Sequence, residues 1–183
     1  MARVLIPLAQ GCEELEAVTL IDLLRRANIE VVTAGLRNGP VTASRGTVLV
    51  PDVTLDAVLD QPFDMLVLPG GLPGSDNLDQ DPRIHTLLQK MSSTGKYTAA
   101  ICAAPKILAR AGLLDGRTAT CYPGVLNKFT KIDVVPAPVV TDGKVITSRG
   151  PGTAIDFALT LIEILSNRNN RDIVEEQLQR ESY

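Results

Sequence analysis

The fold of this chain is decided by the stretch Tyr97-Thr98-Ala99-Ala100-Ile101-Cys102-Ala103-Ala104-Pro105, which continues as Lys106-Ile107-Leu108-Ala109-Arg110-Ala111-Gly112. Its apolar first half predicts a short buried strand, and its second half predicts a helix that closes at Gly112. Pro105 suits the first turn of that helix, where a missing N–H costs nothing. Cys102 is therefore predicted to lie at the joint between a parallel strand and a helix.

Two interpretations of Cys102 follow from this stretch alone. A helix N-terminus presents unpaired N–H groups and a partial positive charge, which favour a thiolate over a thiol. A sharp strand–nucleophile–helix turn also requires small neighbours, which are glycines in the serine version and Ala100 and Ala104 in this chain. Against this, free cysteines are among the most buried residues of proteins. A nucleophile and a structural core cysteine are equally supported at this stage.

Length and composition predict one soluble domain over residues 1–183 and exclude several classes of partner. The chain is 45% apolar and 21% charged, which is typical of a globular protein. Its net charge of -3 provides no basic footprint for nucleic acid or anionic membranes. With 3% aromatic residues and no Trp, a base-stacking platform is not expected. We therefore expect no sequence-specific nucleic-acid binding and no membrane association.

The cysteine and histidine content argues against metal sites and disulfide staples. Three cysteines at irregular spacing and one histidine form no CxxC or Cys/His cluster. A domain of this size needs no disulfides, so a reducing, cytoplasmic location is expected. No stretch reaches the ~18 consecutive apolar residues of a membrane span.

Strand and helix patterns alternate along the chain. The N-terminal strand (3–9), an amphipathic helix (13–28) and a second strand (29–35) make a βαβ unit. The segments that follow are a hairpin at 41–50, a short helix at 55–59, a strand at 63–68, a loop at 72–80, a helix at 81–92, a short strand at 118–121, a hairpin at 139–147 and helices at 153–165 and 171–180. This alternation predicts an open, mostly parallel α/β sheet covered by helices on both faces.

Three loops that leave strand ends have unusual content. Ligands of such sheets bind beyond the carboxyl ends of the strands, and residues 11–16, Pro69-Gly70-Gly71 and Cys102-Ala103 all follow strands. The two glycines are either a tight turn or a bare backbone whose N–H groups face an oxyanion. Glu16, in an acid-rich helix start, either complements the helix dipole at the surface or belongs to the site.

Taken together, these motifs closely resemble the ThiJ/PfpI superfamily, specifically its DJ-one branch. The resemblance spans essentially the whole chain. The matching motifs are Gly11-Cys12-Glu13-Glu14-Leu15-Glu16, Ile21-Asp22-Leu23-Leu24-Arg25-Arg26, Ser44-Arg45-Gly46, Val67-Leu68-Pro69-Gly70-Gly71, Ala99-Ala100-Ile101-Cys102-Ala103-Ala104-Pro105 and Thr147-Ser148-Arg149-Gly150-Pro151-Gly152-Thr153. The resemblance implies a flavodoxin-like fold, a homodimer and a reactive cysteine, here Cys102, on the nucleophile elbow.

The same resemblance assigns Glu16 as the acidic partner of Cys102. Two adjacent negative charges repel, so one group must hold a proton, and we expect a Cys102 thiolate beside a protonated Glu16. Family members also place Arg45 and Arg26, the latter from this or the partner subunit, near the pocket. Taken singly, each arginine is better explained by helix-dipole complementarity or hairpin solvation.

One position departs from the family pattern. Some members have a His before the Pro of the segment matching Thr120-Cys121-Tyr122-Pro123, where this chain has Tyr122. A Cys–His dyad is thus unavailable there, and His85 belongs to a different helix, so a protease role is disfavoured. Tyr122 is expected either to donate a hydrogen bond in the site or to pack beside it. Cys12 and Cys121 are expected near the pocket rim, as inert packing or as partners of an oxidised Cys102.

The resemblance implies a cofactor-independent enzyme that acts on reactive dicarbonyls or on their adducts with proteins and nucleotides. Cys102 would add to the aldehyde of methylglyoxal, Glu16 would move protons between the two carbons, and hydrolysis would release lactate. Backbone N–H groups of Gly70, Gly71 and Ala103 would stabilise the oxyanion. The alternative is a redox sensor or stress chaperone that uses oxidation of Cys102 without obligatory turnover.

Overall fold

A seven-stranded sheet organises the molecule, which is described for residues 1–180 by a computed structural model. The strands are β1 (Arg3–Leu8), β2 (Glu30–Gly35), β3 (Val41–Thr42), β4 (Val48–Leu49), β5 (Val53–Thr54), β6 (Met65–Leu68), β7 (Tyr97–Ile101), β8 (Thr118–Ala119), β9 (Asp133–Val134), β10 (Val139–Asp142) and β11 (Val145–Ser148). The helices are α1 (Glu14–Arg26), α2 (Gly74–Gln80), α3 (Pro82–Ser93), α4 (Pro105–Arg110), α5 (Ala154–Leu165) and α6 (Arg168–Gln177), with 3-10 turns at Leu55–Val58 and Pro151–Thr153.

The central strands are buried on both faces because their side chains alternate between two hydrophobic cores. The main sheet has the order β10-β11-β7-β6-β1-β2-β5, and only the β10–β11 pair is antiparallel. Within β1, Val4 and Ile6 enter one core while Leu5 enters the other. In β6, Val67 enters the first of these cores and Leu66 the second. Such strands read as continuous apolar runs, which is why the sequence pattern located them.

Helices cover both faces of the sheet. On one face, Leu20 and Leu24 of α1 share a core with Phe157 of α5. On the other face, Leu88 of α3 shares a core with Leu108 of α4. The apolar stripes of these helices therefore each find a buried partner. The predicted α/β architecture, a mostly parallel sheet between two helical layers, is confirmed.

The sheet topology gathers three loops at one edge. Strands β1, β6 and β7 are parallel neighbours, so their carboxyl ends point the same way. From β1 the chain moves to β2 on one side and later returns to β6 on the other, which makes the β1–β6 boundary a topological switch point. The loops that begin near Gly11, Pro69 and Cys102 consequently meet there.

Several local predictions hold with small changes of boundary. The predicted hairpins are present as the β3–β4 and β10–β11 pairs, although the central residues of the second turn are Gly143 and Lys144. The predicted short helix at 55–59 is the 3-10 turn Leu55–Val58. The last helix begins at Arg168 rather than near residue 171, because the Asn167 side chain accepts a hydrogen bond from the Asn170 N–H and caps it.

The predicted loop at residues 72–80 is wrong, because residues 74–80 form helix α2. This segment has Gly, Pro and Asp residues and only one buried apolar anchor, Leu78, so it shows no helical periodicity. Seven residues make a marginal helix by themselves. The contacts that stabilise α2 are tertiary, including ion pairs from Asp76 to Lys106 and from Asp79 to Arg110 of α4.

The short strands were the least predictable elements. The predicted strand at 118–121 is only Thr118–Ala119, and its parallel partner Asp133–Val134 carries no sequence signal. Likewise Val53–Thr54, which extends the sheet beside β2, is too brief for a periodic pattern. The predicted domain end at residues 181–183 lies outside the described part of the chain.

The shared core of α1 and α5 yields a stability prediction. Phe157 is completely buried, whereas Ile155 on the same helix is 36% exposed. Phe157→Ala should lower the free energy of unfolding by about 3–5 kcal/mol because it leaves a cavity, and Ile155→Ala should cost under about 1 kcal/mol. Urea unfolding followed by circular dichroism measures both, and equal losses would contradict the described packing.

Candidate active site

Cys102 occupies a sharp elbow between β7 and α4. Its φ of 63° lies in the left-handed region, which is strained for a residue other than glycine. The elbow is held from both sides: the Cys102 N–H donates to the Ser148 carbonyl at 3.0 Å, and its carbonyl accepts from the Tyr122 N–H at 2.8 Å. Ala100 and Ala104 are fully buried beside it, as the need for small neighbours predicts. The fold thus fixes the direction of the thiol.

Glu16 reaches the same site from the first turns of α1. Its side chain is completely buried, so the alternative of a surface residue that complements the helix dipole is wrong. The Gly70 N–H donates to Glu16 Oε2 at 2.8 Å. Glu16 Oε1 is buried and has no hydrogen-bond partner of standard geometry among residues 1–180. A carboxyl group in this environment is costly to ionise.

Gly70 leaves room for the thiol and the carboxyl group to approach each other. A Cβ at this position would lie 2.7 Å from the Cys102 Cβ, 2.7 Å from Glu16 Oε2 and 2.8 Å from the Ile101 carbonyl. These contacts are shorter than van der Waals distances, so only glycine lets the three groups converge. The Gly70 carbonyl in turn accepts from the Glu13 N–H at 3.0 Å, which fixes the β6 loop against the start of α1.

Two backbone N–H groups face the Cys102 sulfur. They belong to Gly71, whose φ is 91°, and to Ala103, and both lower the pKa of the thiol by hydrogen bonding. The sequence prediction included Gly70 as a third donor to an oxyanion. This prediction is wrong, because the Gly70 N–H is already engaged by Glu16. The structure leaves the N–H groups of Gly71 and Ala103 as the pair near the reactive atom.

The electrostatics of the pair differ from the sequence prediction. Burial is the main cause that raises the pKa of Glu16 to about 7, while the hydrogen bond from Gly70 opposes it. Burial and then the charge of Glu16 raise the pKa of Cys102 to about 12. Cys102 is only 8% exposed, and burial and the Glu16 charge both oppose the thiolate expected from the sequence, which stays a prediction. The site carries a thiol next to a carboxyl group that loses its proton near neutral pH.

The arginines predicted near the pocket are not brought to it within this chain. Arg26 lies on the last turn of α1, about 15 Å along the helix from Glu16, and pairs with Asp22 at 2.8 Å. Arg45 is exposed at the tip of the β3–β4 hairpin, where its backbone N–H donates to Glu14 Oε1 at 2.9 Å. A pocket role for either residue stays a prediction.

Tyr122 borders the elbow, as the sequence predicts. Its backbone is bonded to Cys102, and its side chain is 53% exposed beside Gly150. Cys12 and Cys121 are free and buried, and burial raises the pKa of Cys12 to about 11. This burial agrees with the inert packing that the sequence allowed for both residues, and a role of either as a partner of oxidised Cys102 stays a prediction.

Two further residues differ in their place: His85 contacts α2, whereas Ser148 contacts the elbow. The His85 Nε2 atom lies 3.3 Å from Asp79 on α2, which is consistent with its predicted place away from the cysteine loop. Sequence reasoning missed Ser148, whose carbonyl anchors the elbow. Its position at the carboxyl end of β11, next to β7, was the available signal.

Two classes of feature are not found in residues 1–180. His, Cys, Asp and Glu side chains do not group in threes that could hold a metal ion. None of the described helices combines the length and apolar character that crossing a bilayer requires.

Comparison with known proteins identifies the family. The sequence profile of the DJ-1/PfpI family matches residues 2–164. Protein dj-1beta of Drosophila melanogaster is 43% identical over 169 residues, covering 90% of this chain and 89% of that protein. A Caenorhabditis elegans relative, named glutathione-independent glyoxalase DJR-1.2, is 38% identical over 166 residues, covering 90% and 88%. Protein DJ-1 homolog A of Arabidopsis thaliana is 43% identical over 175 residues, but this chain spans 45% of its length.

Solved structures agree with this assignment. The crystal structure of Drosophila melanogaster DJ-1beta superposes with a TM-score of 0.95 at 40% identity and covers 99% of both chains. Oxidised Toxoplasma gondii DJ-1 gives a TM-score of 0.94 at 36% identity over 100% of both chains. The elbow cysteine, the buried glutamate and the sheet that aligns them therefore sit in a chain that belongs to the DJ-1/PfpI family.

Proposed function

We propose that this chain is a cofactor-independent, cysteine-dependent enzyme that converts reactive dicarbonyls such as methylglyoxal to hydroxy acids. The observation that carries the proposal is the buried contact between the Cys102 thiol and the Glu16 carboxyl group, with two backbone N–H groups facing the sulfur. A nucleophile beside a base of near-neutral pKa is the arrangement that covalent chemistry on carbonyl groups requires. The glyoxalase named among the relatives supports the same reaction class.

The first step is addition of the thiol to the aldehyde. As the Cys102 sulfur bonds to the carbonyl carbon, its proton passes to the Glu16 carboxylate, which is available because its pKa is about 7. The N–H groups of Gly71 and Ala103 stabilise the negative oxygen that develops. Protonation of that oxygen by Glu16 gives a hemithioacetal and regenerates the carboxylate.

The second step moves hydrogen between the two carbons of the substrate. The Glu16 carboxylate removes the hydrogen of the former aldehyde carbon as a proton, which gives an enediol, and returns it to the neighbouring carbon. The product is a lactate thioester of Cys102, and water hydrolyses it to lactate and the free thiol. One carbon is oxidised and its neighbour reduced, so the balance is methylglyoxal plus water to lactate, and no redox cofactor takes part.

The pair of Cys102 and Glu16 also suits a second kind of substrate, the adducts that dicarbonyls form with amines. Aminocarbinols formed by dicarbonyls on protein or nucleotide amines carry the same carbon skeleton. A deglycase activity differs in its first step, in which the C–N bond breaks, Glu16 protonates the leaving amine and the Cys102 sulfur bonds to the same carbon; the later steps are the same. We keep small dicarbonyl or glycated substrates as one proposed class. The predicted cytoplasmic location stays a prediction.

A redox role of Cys102 is the second candidate. It is favoured by one observation, that Toxoplasma gondii DJ-1, which superposes with a TM-score of 0.94, was solved in an oxidised form. In this chain the thiol is largely buried and its pKa is raised, which slows oxidation because the thiolate is the form that peroxide attacks. The geometry therefore supports turnover better than sensing.

We further propose that the chain forms a homodimer through α1 and β4. Four aliphatic side chains are exposed on this face: Leu15 (51%), Val18 (45%), Val48 (59%) and Val50 (80%). A cleft of about 310 Å³ between the two elements also carries Asp22, Arg25 and Asp52. A face that combines apolar groups with both signs of charge is self-complementary, as a two-fold interface must be.

The enzyme proposal predicts the effect of removing either member of the pair. Cys102→Ala should abolish lactate formation from methylglyoxal, and Glu16→Gln should lower kcat/KM at least a hundredfold because the proton acceptor is lost. Wild-type kcat/KM should fall about tenfold per pH unit below 7, as Glu16 becomes protonated. Enzymatic quantification of lactate measures all three, with Cys121→Ser as a control that keeps full activity.

Retention of activity in either pair variant would overturn the enzyme proposal. If wild type also forms no lactate, while mild peroxide adds oxygen selectively to Cys102 by mass spectrometry, the redox candidate replaces it. Equal oxidation of Cys12, Cys102 and Cys121 would argue against the redox candidate as well.

The dimer proposal predicts the effect of a charge on the exposed face. Val18→Asp should convert the dimer to a monomer, because the carboxylate would be buried without a partner across the interface. Val134→Asp is the matched control, since Val134 is 46% exposed on a different strand. Multi-angle light scattering gives the masses, and a wild-type monomer would contradict the proposal.

A further inference from the structure

The two loops that form the site each run directly into a short helix. The loop with Gly70 and Gly71 continues as the seven-residue α2, and the Cys102 elbow continues as the six-residue α4. Helices of this length are unstable without tertiary contacts. The Gly70–Gly71 loop is held on one side by the Glu13 N–H, which donates to the Gly70 carbonyl. On its other side, the distance between the Gly71 N–H and the Cys102 sulfur depends on how α2 is held against α4.

Two ion pairs join these helices in register. Lys106 Nζ donates to Asp76, and the Arg110 guanidinium donates to Asp79. The acids are three residues apart on α2 and the bases are four apart on α4, so each pair lies one turn from the other along both helices. We call Asp76–Lys106 and Asp79–Arg110 the α2–α4 clamp.

The two pairs differ in burial: the inner pair is Asp79–Arg110, and the outer pair is Asp76–Lys106. The Asp79 side chain is only 2% exposed, and its second oxygen faces His85 Nε2 at 3.3 Å. In the outer pair the Lys106 side chain is 15% exposed. Each pair therefore joins a largely buried group to an exposed one, since the Arg110 side chain is 58% exposed and the Asp76 side chain 48%. A buried charge that loses its partner is costly, so the two pairs favour one arrangement of the helices.

We infer that the α2–α4 clamp positions the Gly71 N–H against the Cys102 sulfur and thereby sets the reactivity of the thiol. The four clamp residues act through the two loops and do not touch the substrate, so they are positioning residues. The inference rests on the proposed role of Cys102 as the reacting thiol. It goes beyond that role by assigning the control of reactivity to residues four to eight positions along the chain from Gly71 or Cys102.

The test reverses the outer pair. Asp76→Lys and Lys106→Asp each place like charges opposite one another, and the double variant restores attraction with the signs exchanged. The readout is the rate of Cys102 alkylation by iodoacetamide between pH 5 and 10, followed by mass spectrometry. Because the pKa of Cys102 lies above this range, the alkylation rate rises with pH throughout it. Each single variant should lower the rate about tenfold at every pH, and the double variant should return it toward wild type.

Two further variants separate positioning from general stability. Arg110→Gln removes the cation of the inner pair, Asp79–Arg110, and should lower the alkylation rate in the same way. Lys131→Gln removes the exposed pair with Asp115, which lies beyond the end of α4 and includes none of the four clamp residues, and should leave the profile unchanged. Single variants that unfold at lower urea concentration but keep the wild-type profile would show a merely structural role and overturn the inference.

Alkylation does not depend on turnover, so the two proposals fail separately. If the clamp variants change the alkylation profile although the wild type makes no lactate, the enzyme proposal is rejected and the clamp is kept. Lactate formation together with superimposable profiles would reject the clamp and keep the enzyme.

Discussion

The structure depends on one electrostatic constraint, namely that a thiol and a carboxyl group buried in contact can hold only one negative charge. Glu16 has lost its access to water, and Gly70 gives it one compensating hydrogen bond. Ionisation of both Glu16 and Cys102 would add charge repulsion to desolvation. One proton is therefore shared between oxygen and sulfur, and moving it from sulfur to oxygen is what makes the sulfur a nucleophile.

The fold brings Cys102 and Glu16 close enough for this contact. Parallel strands deliver three loops to one edge of the sheet, and a glycine at position 70 removes the only side chain that would separate the pair. The strained backbone of Cys102 is tolerated because hydrogen bonds to neighbouring strands and loops over-determine it. The two short helices that follow the loops then transmit their own packing to the position of the oxyanion donors.

The sequence predicted which residues lie at the site better than it predicted their pKa values. Continuous apolar runs located the buried strands, and small residues around Cys102 predicted the elbow, because both are local consequences of packing. Helix α2 was missed since its stability comes from ion pairs with α4, which no local pattern reveals. The sequence also left out the main influence on the protonation of the pair: a helix N-terminus near Cys102 can be predicted from sequence, whereas burial, which dominates the pKa of both groups, cannot.

The most direct test of the account is a titration of the Glu16 carboxyl carbon by ¹³C NMR from pH 4 to 10, assigned by comparison with Glu16→Gln. The account predicts a single midpoint near pH 7, where the carboxyl group loses its proton while Cys102 remains a thiol. A midpoint near the ordinary value of ~4.3 would show that Glu16 is not a base poised at neutral pH. A carboxyl group that stays protonated above pH 9 would show the opposite arrangement, a thiolate beside a carboxylic acid, and would contradict the mechanism.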